Sequence, residues 1–446
     1  MITLDNMFEN PILIKAKANL KIKMLNSRIH LDSRGKPTLK TSIELVNTED
    51  YSYVGEAAVP SGASVGSHEA LELRDHDQSQ YLGQGVSKAV NNVNSTMREE
   101  LTKDSFTFST LSELDNKLIN LDNTANKSNL GANSILSVSM ATARALAKAN
   151  NLELFEFLRQ EYFPNLGAKY KLSTPMANVI NGGAHADNDL SVQEFMLVTE
   201  CPTISEVIEN NSTLYHTLKN QLKKDNYNTS LGDEGGFAPK MNSTDTVINY
   251  LENLLQNRNQ TFGTSTKISL DVAASEFYNS ETRIYTIDKN NFTNSQMVDF
   301  YEELISKHNI LSIEDALAED DLEGWKMLTE RIGHKVMLIG DDLFVTNPIR
   351  LASIGRDKNI ANAILIKPNQ IGSITETCTV INMAKEMNYK VIISHRSGET
   401  CDSFITDLAV ACNADYLKIG APARGERTAK YNRLIDIDEI LKYRTG

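Results

Sequence analysis

The chain has 446 residues, which is long enough for two or three domains or for one large barrel with an attached domain. Hydrophobic residues make up 41% of it and charged residues 23%, a balance typical of a globular protein. A net charge of −13 argues against nonspecific binding to nucleic acid or to an anionic membrane, because a polyanion would repel the chain.

The cysteines and the N-terminus indicate the cellular compartment. Cys201, Cys378, Cys401 and Cys412 form neither a CxxC pair nor a short disulfide framework, which favours a reducing compartment. The first ten residues lack the basic, apolar and small-residue order of a signal peptide. No apolar stretch approaches the ~20 residues that are needed to span a bilayer. We therefore expect a cytoplasmic protein that binds neither membrane nor nucleic acid.

The first part of the chain is predicted to hold an extension and a separate domain. Residues 1–20 show no clear pattern and are interpreted as an N-terminal extension. Residues 38–46 alternate between apolar and polar side chains, and residues 53–59 form a second short apolar segment, so both are predicted to be antiparallel strands. Residues 133–149 are rich in alanine and have apolar side chains at helical spacing, which predicts a buried helix. Residues 21–166 are therefore predicted to form an α+β domain.

In residues 167–446, six short apolar runs each end at a polar or charged residue. These residues are Asp271, Glu314, Asp341, Lys367, His395 and Lys418. Subtracting successive positions gives steps of 43, 27, 26, 28 and 23 residues, and a strand, a helix and two loops need roughly 25 to 40 residues. The spacing therefore predicts repeated βα units. In a barrel of such units the carboxyl ends of the strands converge on the catalytic face, so the six side chains are expected to share one pocket.

The chemistry of these six residues suggests a metal site. Asp271, Glu314 and Asp341 carry the hard oxygen ligands that Mg²⁺ prefers, and the sequence has no Cys/His cluster typical of zinc. A single charged residue after a strand is more often explained by solvation of a loop. Solvation of loops does not readily explain why six such residues follow six regularly spaced apolar runs.

Several short strings are more specific than this spacing. They are DSRGKPT at 32–38, PSGASVG at 60–66, NGGAHA at 181–186, QEFM at 193–196, GDEGG at 232–236, IED at 313–315, GDD at 340–342, KPNQIG at 367–372, SHRSGET at 394–400 and KIGAPAR at 418–424. In this order the strings resemble the enolase family from about residue 21 to the C-terminus. The resemblance implies an N-terminal α+β capping domain and a C-terminal modified βα barrel, similar to a TIM barrel.

The resemblance also implies an activity, the reversible dehydration of 2-phosphoglycerate to phosphoenolpyruvate in glycolysis and gluconeogenesis. A base must remove a proton beside a carboxylate that is already charged, and metal ions neutralise the additional negative charge. The family uses two Mg²⁺ per active site. Asp271, Glu314 and Asp341 match its metal ligands, and Ser64 matches the ligand of the second ion.

By the same resemblance, Lys367 matches the base and Glu234 the acid that protonates the departing hydroxyl group. An ordinary lysine has a pKa of about 10.4, so the metal ions and Lys418 are expected to make Lys367 easier to deprotonate. Glu194 lies beside Glu234 in the family's site, and two close carboxylates raise the pKa of one of them. Without the resemblance, residues 232–236 would be interpreted as a polar turn.

The remaining matches are predicted to bind substrate. The substrate-binding set is His185, Glu194, Glu314, His395, Arg396, Ser397 and Lys418. Arg396 and Ser397 match phosphate contacts, and the planar fork of an arginine suits a phosphate group. Lys418 matches the residue that pairs with the substrate carboxylate. For His185 and His395 the alternative is a core histidine that is satisfied by hydrogen bonds.

Two alternative functions stay open from the sequence. An enolase-like lyase acting on a related phosphorylated or phosphonate acid would share the base and the metal ions. A noncatalytic enolase-fold binding protein would need no activity, although every matched catalytic position is retained. We also expect a homo-oligomer, a dimer or larger, because the resemblance implies one.

Overall fold

The computed structural model describes residues 19–62, 66–262 and 265–445. The predicted extension, residues 1–20, therefore lies outside the described residues except for Asn19 and Leu20. Leu20 is buried and pairs with Phe108 through a backbone bridge. Within the described ranges, no helix is long and apolar enough to cross a membrane.

The strands and helices follow one another along the chain in two groups. The strands are β1 (Lys21–Leu31), β2 (Pro37–Val46), β3 (Ser52–Ala58), β4 (Thr174–Asn181), β5 (Glu194–Glu200), β6 (Ser265–Asp271), β7 (Tyr278–Asn279), β8 (Ile284–Ile287), β9 (Asn290–Phe292), β10 (Ile310–Glu314), β11 (Met337–Gly340), β12 (Ala363–Ile366), β13 (Lys390–Ser394) and β14 (Tyr416–Lys418). The α-helices are α1 (Ser87–Asn92), α2 (Arg98–Leu101), α3 (Leu111–Asp122), α4 (Ala132–Ala149), α5 (Leu154–Tyr162), α6 (Ile204–Lys224), α7 (Thr244–Phe262), α8 (Asn294–Lys307), α9 (Leu322–Ile332), α10 (Pro348–Arg350), α11 (Pro368–Ile371), α12 (Ile374–Glu386), α13 (Phe404–Ala411) and α14 (Gly425–Thr445).

The N-terminal part is an antiparallel sheet covered by helices. Strands β1, β2 and β3 pair in that order, and the alternating apolar residues of β2 point towards α4. Helix α4 is buried along nearly its whole length because its small alanine and serine side chains allow close approach to the sheet. The hydroxyl groups of Thr41 and Ser137 meet at 2.7 Å between the two layers. The predicted strands and helix are confirmed, whereas β1 was not predicted.

The C-terminal part is a closed barrel with the strand order β4, β5, β6, β10, β11, β12, β13, β14. The six apolar runs form β6 and β10 to β14, so the prediction of βα units is confirmed. Strand β5 runs antiparallel to both neighbours, and the other neighbouring pairs are parallel. The antiparallel strand is the modification that distinguishes this barrel from a regular βα barrel.

Two features of the barrel were not predicted. Strands β4 and β5 follow each other through a loop without a crossover helix, so they lack the βα spacing of the later strands. The longest step, from Asp271 to Glu314, contains a small separate sheet of β7, β8 and β9 before α8. This insertion explains why that step exceeds the length of one βα unit.

The N-terminal part supports the loop that follows β13. Ser33 N donates to Glu399 O at 2.7 Å, and Ser61 and Gly398 exchange two backbone hydrogen bonds of 2.8 and 3.0 Å. A Cβ atom on Gly398 would lie 2.6 Å from the backbone oxygen of Ser61, so the loop can approach this closely only with a glycine there. The loop therefore depends on both parts of the chain for its position.

Candidate active site

The predicted site residues come together at one mouth of the barrel. In the parallel strands the carboxyl ends share this edge, and antiparallel β5 reaches the same edge with its first residue, Glu194. Asp271 pairs in register with Glu194 on one side and with Glu314 on the other. Three carboxylates on three neighbouring strands are therefore adjacent as a direct result of strand register.

Most of the predicted residues line one cavity at this mouth. The cavity is lined by His185, Gln193, Glu194, Glu234, Asp271, Ala273, Glu276, Asp315, Asp341, Asp342, Lys367, Ser394, His395, Arg396, Ser397 and Lys418. Glu314 is not in the lining, because its fully buried side chain lies against Lys418. Ser64, the predicted ligand of a second Mg²⁺, lies outside the described residues.

Lys418 is the centre of the buried charge cluster. Its Nζ lies 2.8 Å from Asp271 Oδ2, 2.9 and 3.0 Å from the two Glu314 oxygens, and 3.2 Å from Glu194 Oε1. Burial opposes the charge, but these carboxylates raise the pKa of Lys418 well above its ordinary value. Burial and the charge of Asp271 raise the pKa of Glu314. Lys418 thus holds three carboxyl groups together and offsets the repulsion between those that are ionised.

Lys367 forms the second pair between a lysine and a carboxylate. It follows β12 directly and donates from Nζ to Asp341 Oδ2. Burial opposes the charge, but Asp341 raises the pKa of Lys367, whereas the sequence led us to expect a lysine that is easier to deprotonate. Gln370 Nε2 donates to the other Asp341 oxygen at 2.8 Å, and Thr346 Oγ1 donates to Gln370 Oε1 at 2.8 Å. Asp341 is therefore held rigidly in place.

The donor set of the mouth fits a divalent cation. Seven of the lining residues are carboxylates and three are lysine or arginine, which leaves an excess of negative charge. Asp271, Glu314 and Asp341 offer buried oxygen ligands at neighbouring strand ends, and a metal ion would relieve the repulsion that raises the pKa of Glu314. The ligand atoms of Asp315, Asp341 and Asp342 also lie within 4.8 Å of one another. Asp341 is the one residue common to both groups.

The opposite side of the mouth carries a pair of buried glutamates. Glu234 lies on the loop between α6 and α7, where Asn178 Nδ2 donates to its Oε2 at 3.1 Å. Burial and the charge of Glu234 raise the pKa of Glu194 well above its usual value. Burial opposes the charge of Glu234, but its polar neighbours His395 and His185 and the positive charge of Arg427 lower its pKa. Of this pair, Glu194 therefore holds the proton more tightly.

The positions of Lys367 and Glu194 follow from the barrel order. Lys367 follows β12 and Glu194 begins β5, and these strands are four places apart in either direction around the closed barrel. The amino group and the pair of glutamates therefore face each other across the mouth. A small molecule bound between them would have a basic group on one side and carboxyl groups on the other.

Arg396 is held by a residue that the sequence did not point to. Glu69 forms a two-point ion pair with it, at 2.9 Å from Nη1 and 3.2 Å from Nη2, and both side chains are buried. Burial opposes the charge, but Glu69 raises the pKa of Arg396. Glu69 lies three residues after the 60–66 string, so only its position beside that string could have drawn attention to it.

The loops that carry the site contain strained backbone. Ala273, Asp315, Val345 and Thr346 all have positive φ, at 47°, 42°, 44° and 51°, although none of them is a glycine. Such residues cost of order 1–3 kcal/mol each and collect at functional sites. At Asp315 hydrogen bonds offset the cost of the strained backbone. Its carboxylate accepts them from the backbone N–H groups of Asp341, at 2.9 Å, and Asp342, at 2.8 Å.

Comparison with known proteins identifies the family. The sequence model described as "Enolase, N-terminal domain" matches residues 22–158, and that described as "Enolase, C-terminal TIM barrel domain" matches residues 169–445. The chain is 44% identical over 427 residues to proteins called enolase from Ehrlichia ruminantium strains Gardel and Welgevonden. Each alignment covers 95% of this chain and 97% of the relative. Because both parts of the chain match and the relatives align over nearly their full length, the chain belongs to the enolase family.

Proposed function

We propose that the chain removes water reversibly from 2-phosphoglycerate to give phosphoenolpyruvate at the barrel mouth, with two Mg²⁺ per active site. Membership of the family makes the chain a phosphopyruvate hydratase, a metal-dependent lyase of glycolysis. The observation that carries the proposed mechanism is the placement of Lys367 opposite Glu194 and Glu234. A base and an acid on opposite sides of the substrate suit a reaction in which the proton and the hydroxyl group leave in opposite directions.

Asp271, Glu314 and Asp341 are the proposed ligands of the first metal ion, and Ser64 is proposed for the second. When bound, the ions neutralise the negative charge that develops on the substrate carboxylate. Lys418 is proposed to bind that carboxylate, which would compete with Asp271, Glu314 and Glu194 for its ammonium group. These three carboxylates hold Lys418 in position before substrate arrives.

Lys367 is the proposed base, and it takes the proton from the carbon beside the carboxylate. Its contact with Asp341 keeps the amine charged, so the amine must be released from Asp341 before it can act. Asp341 would hold the metal ion through the same oxygen atoms. Loss of the Lys367 contact with Asp341 would lower the pKa of the amine and so help it to lose its extra proton.

Glu234 is the proposed acid, and Glu194 is proposed to assist it by holding a proton in the same buried pair. The low pKa of Glu234 and the high pKa of Glu194 place that proton on Glu194 before substrate binds. His185 Nδ1 lies 3.6 Å from Glu194 Oε1 and 3.8 Å from Glu234 Oε1, so it contacts both partners. Together the three side chains can pass a proton to a departing hydroxyl group.

Arg396 and Ser397 are proposed to bind the phosphate group, and His395 to contact the substrate beside it. The two-point pair of Arg396 with Glu69 supports this role, because the guanidinium already binds two oxygen atoms of one anionic group. The phosphate group would take over this role from Glu69.

An assay with 2-phosphoglycerate, following the absorbance of the enol product, tests the proposed reaction. Turnover that needs Mg²⁺ is expected, and failure with this substrate but success with a related phosphorylated or phosphonate acid would favour the alternative lyase. No turnover with any such acid would favour a noncatalytic binding protein. The identity to relatives named enolase favours the first outcome.

We also propose a homo-oligomer, a dimer or larger, and a cytoplasmic location. The four cysteines are free thiols in the described structure, which suits a reducing compartment. Sedimentation velocity would measure the oligomeric state, and cell fractionation would test the location.

A further inference from the structure

Arg427 is a buried arginine that joins the two loops of the candidate site. It lies in the first turn of α14, and its side chain is fully buried. Nη1 donates to Arg396 O at 2.7 Å and contacts His395 Nδ1 at 2.6 Å. Nη2 donates to Asp233 O at 3.1 Å and to Ser397 O at 2.6 Å. All four Nη hydrogens are therefore used, and each holds a residue at or next to the candidate site.

The contact with His395 restricts the protonation of the imidazole ring. A guanidinium group has donors only and stays charged in proteins. His395 Nδ1 must then accept the hydrogen bond, because an N–H group there would face another N–H group at 2.6 Å. A neutral ring with an acceptor at Nδ1 carries its proton at Nε2. The doubly protonated ring is excluded by the same contact.

The Nε2 atom points to the reacting side of the mouth. It lies 3.2 Å from Glu234 Oε2, yet it makes no hydrogen bond of good geometry with any described residue. His395 is 2% exposed and lines the cavity. A buried N–H group without a well-aligned partner, next to a proposed acid, is a donor that a ligand can use.

The surroundings favour the neutral ring as well. The charged groups that face His395 are Glu234 on the loop between α6 and α7, Arg427 on α14 and Lys418 on β14. Burial and Arg427 outweigh Glu234 and lower the pKa of His395 to about 3. Gly420, with a φ of +80°, leaves the space for this arrangement, because a Cβ atom there would lie 2.8 Å from Arg427 Cδ and 3.1 Å from His395 Cε1.

We propose that Arg427 is a positioning residue that fixes His395 as the neutral tautomer with its proton on Nε2, so that the ring presents an N–H donor to the substrate beside Glu234. The kinetic consequence rests on the proposed function, whereas the tautomer itself does not. With the proton on Nδ1, the ring would present a lone pair to Glu234 and to the departing hydroxyl group. The residue that hydrogen-bonds to one ring nitrogen of a histidine decides whether the other nitrogen offers a proton or a lone pair.

The chain offers a matched control on the same helix. Lys430, also fully buried, donates from Nζ to Glu399 Oε2 at 2.8 Å, Thr400 O at 2.8 Å and Glu426 O at 2.9 Å. It therefore supports the same loop as Arg427 without touching the ring of His395. Loss of Lys430 tests loop support alone, and loss of Arg427 tests loop support together with the tautomer.

The test is a long-range ¹H–¹⁵N correlation spectrum of the full-length, substrate-free protein labelled with ¹⁵N-histidine, which distinguishes protonated from unprotonated ring nitrogens. The chain has eight histidines, and the spectrum of His395→Gln identifies the signals of His395. In the wild type and in Lys430→Met we expect the proton on Nε2 near neutral pH. In Arg427→Met we expect a mixture of tautomers and titration of the ring at a higher pH, since a fixed positive charge has gone.

Activity provides the second readout. Arg427→Met is expected to lower kcat by about 10²–10³-fold, as for loss of one oriented donor, with a smaller change in KM. Arg427→Lys, which keeps one charged donor, is expected to restore the tautomer in part. A wild-type ring protonated at Nδ1 or at both nitrogens overturns the proposal even if no variant folds, and so does an unchanged tautomer in Arg427→Met. Absence of turnover in the wild type would instead contradict the proposed function and leave the tautomer measurement valid.

Discussion

Lys367 donates a hydrogen bond from its amino group to the carboxylate of Asp341, so the proposed base and a proposed metal ligand are paired in the structure. Burial is the largest single influence on this lysine and lowers its pKa, but the negative charges of Asp341 and Glu314 oppose burial, and the pKa is raised overall. The pairing makes the two roles dependent on each other. Asp341 would hold a metal ion through the same oxygen atoms, and loss of the contact with Asp341 would lower the pKa of the Lys367 amine.

Lys367 and Glu234 should affect different halves of the reaction. Lys367→Ala is expected to abolish both product formation and exchange of the Cα hydrogen with solvent, because no carbanion forms without the base. In Glu234→Gln the base remains, so exchange should continue while elimination slows by about 10²–10⁴-fold. Deuterium incorporation into 2-phosphoglycerate, followed by NMR beside a product assay, measures both steps. If the glutamine variant loses exchange as completely as the alanine variant, the two roles are assigned wrongly.

Asp271→Asn should weaken binding of the first metal ion. The change removes one ligand charge and one partner of Lys418, so we expect the dissociation constant for Mg²⁺ to rise at least tenfold, or about 1.4 kcal/mol. Titration calorimetry with Mg²⁺ measures binding without turnover, and thermal unfolding checks that the variant is folded. Asp189→Asn, the same change at an exposed position, is the control. Equal Mg²⁺ affinity in both variants would remove Asp271 from the ligand set.

Arg396→Lys should impair phosphate binding more than the chemical step. Lysine keeps the charge but loses the fork that already binds Glu69 at two points. We expect KM to rise about tenfold or more, equivalent to at least about 1.4 kcal/mol of lost binding. Steady-state kinetics and inhibition by inorganic phosphate measure the effect. Arg424→Lys is the control, because Arg424 donates to Gly232 O and Ser33 O outside the cavity lining. A similar rise in KM for both variants would point to general loosening of the mouth.

Asp115 should make stability depend on pH. This buried residue of α3 accepts hydrogen bonds from the backbone and hydroxyl group of Thr375 on α12, and burial raises its pKa to about 6. The folded protein therefore holds this proton more tightly than the unfolded chain, whose carboxyl group has the ordinary value of 3.8. Stability from this group is complete below the unfolded value and is lost as pH rises to about 6, by about 3 kcal/mol.

Asp115→Asn should remove that dependence. The amide stays neutral and does not titrate. As pH rises from 4 to 6.5, the melting temperature of the variant should therefore increase relative to that of the wild type. Thermal unfolding followed by circular dichroism over this range measures the difference. A constant difference across the range would show that the carboxyl group of Asp115 does not titrate in this window.

The sequence alone determined the regular spacing of the barrel strands and most residues of the site. Parallel strands are buried on both faces and therefore appear as short apolar runs, and their ends carry the polar residues that the shared edge brings together. Six of the eight barrel strands could be recognised in this way. Strands β4 and β5 could not, because a direct connection without a helix has no βα spacing.

The tertiary structure decided which groups these residues meet. Glu194 reaches the mouth only because β5 runs antiparallel, and nothing in its local sequence sets that direction. Glu69 and Arg427 belong to segments distant in the chain from Arg396 and His395, and only packing of the N-terminal part and of α14 against the barrel brings them into contact. The directions of the pKa shifts at Lys367, Glu194 and Glu234 are likewise decided by burial and by neighbours from other elements, which local sequence does not encode.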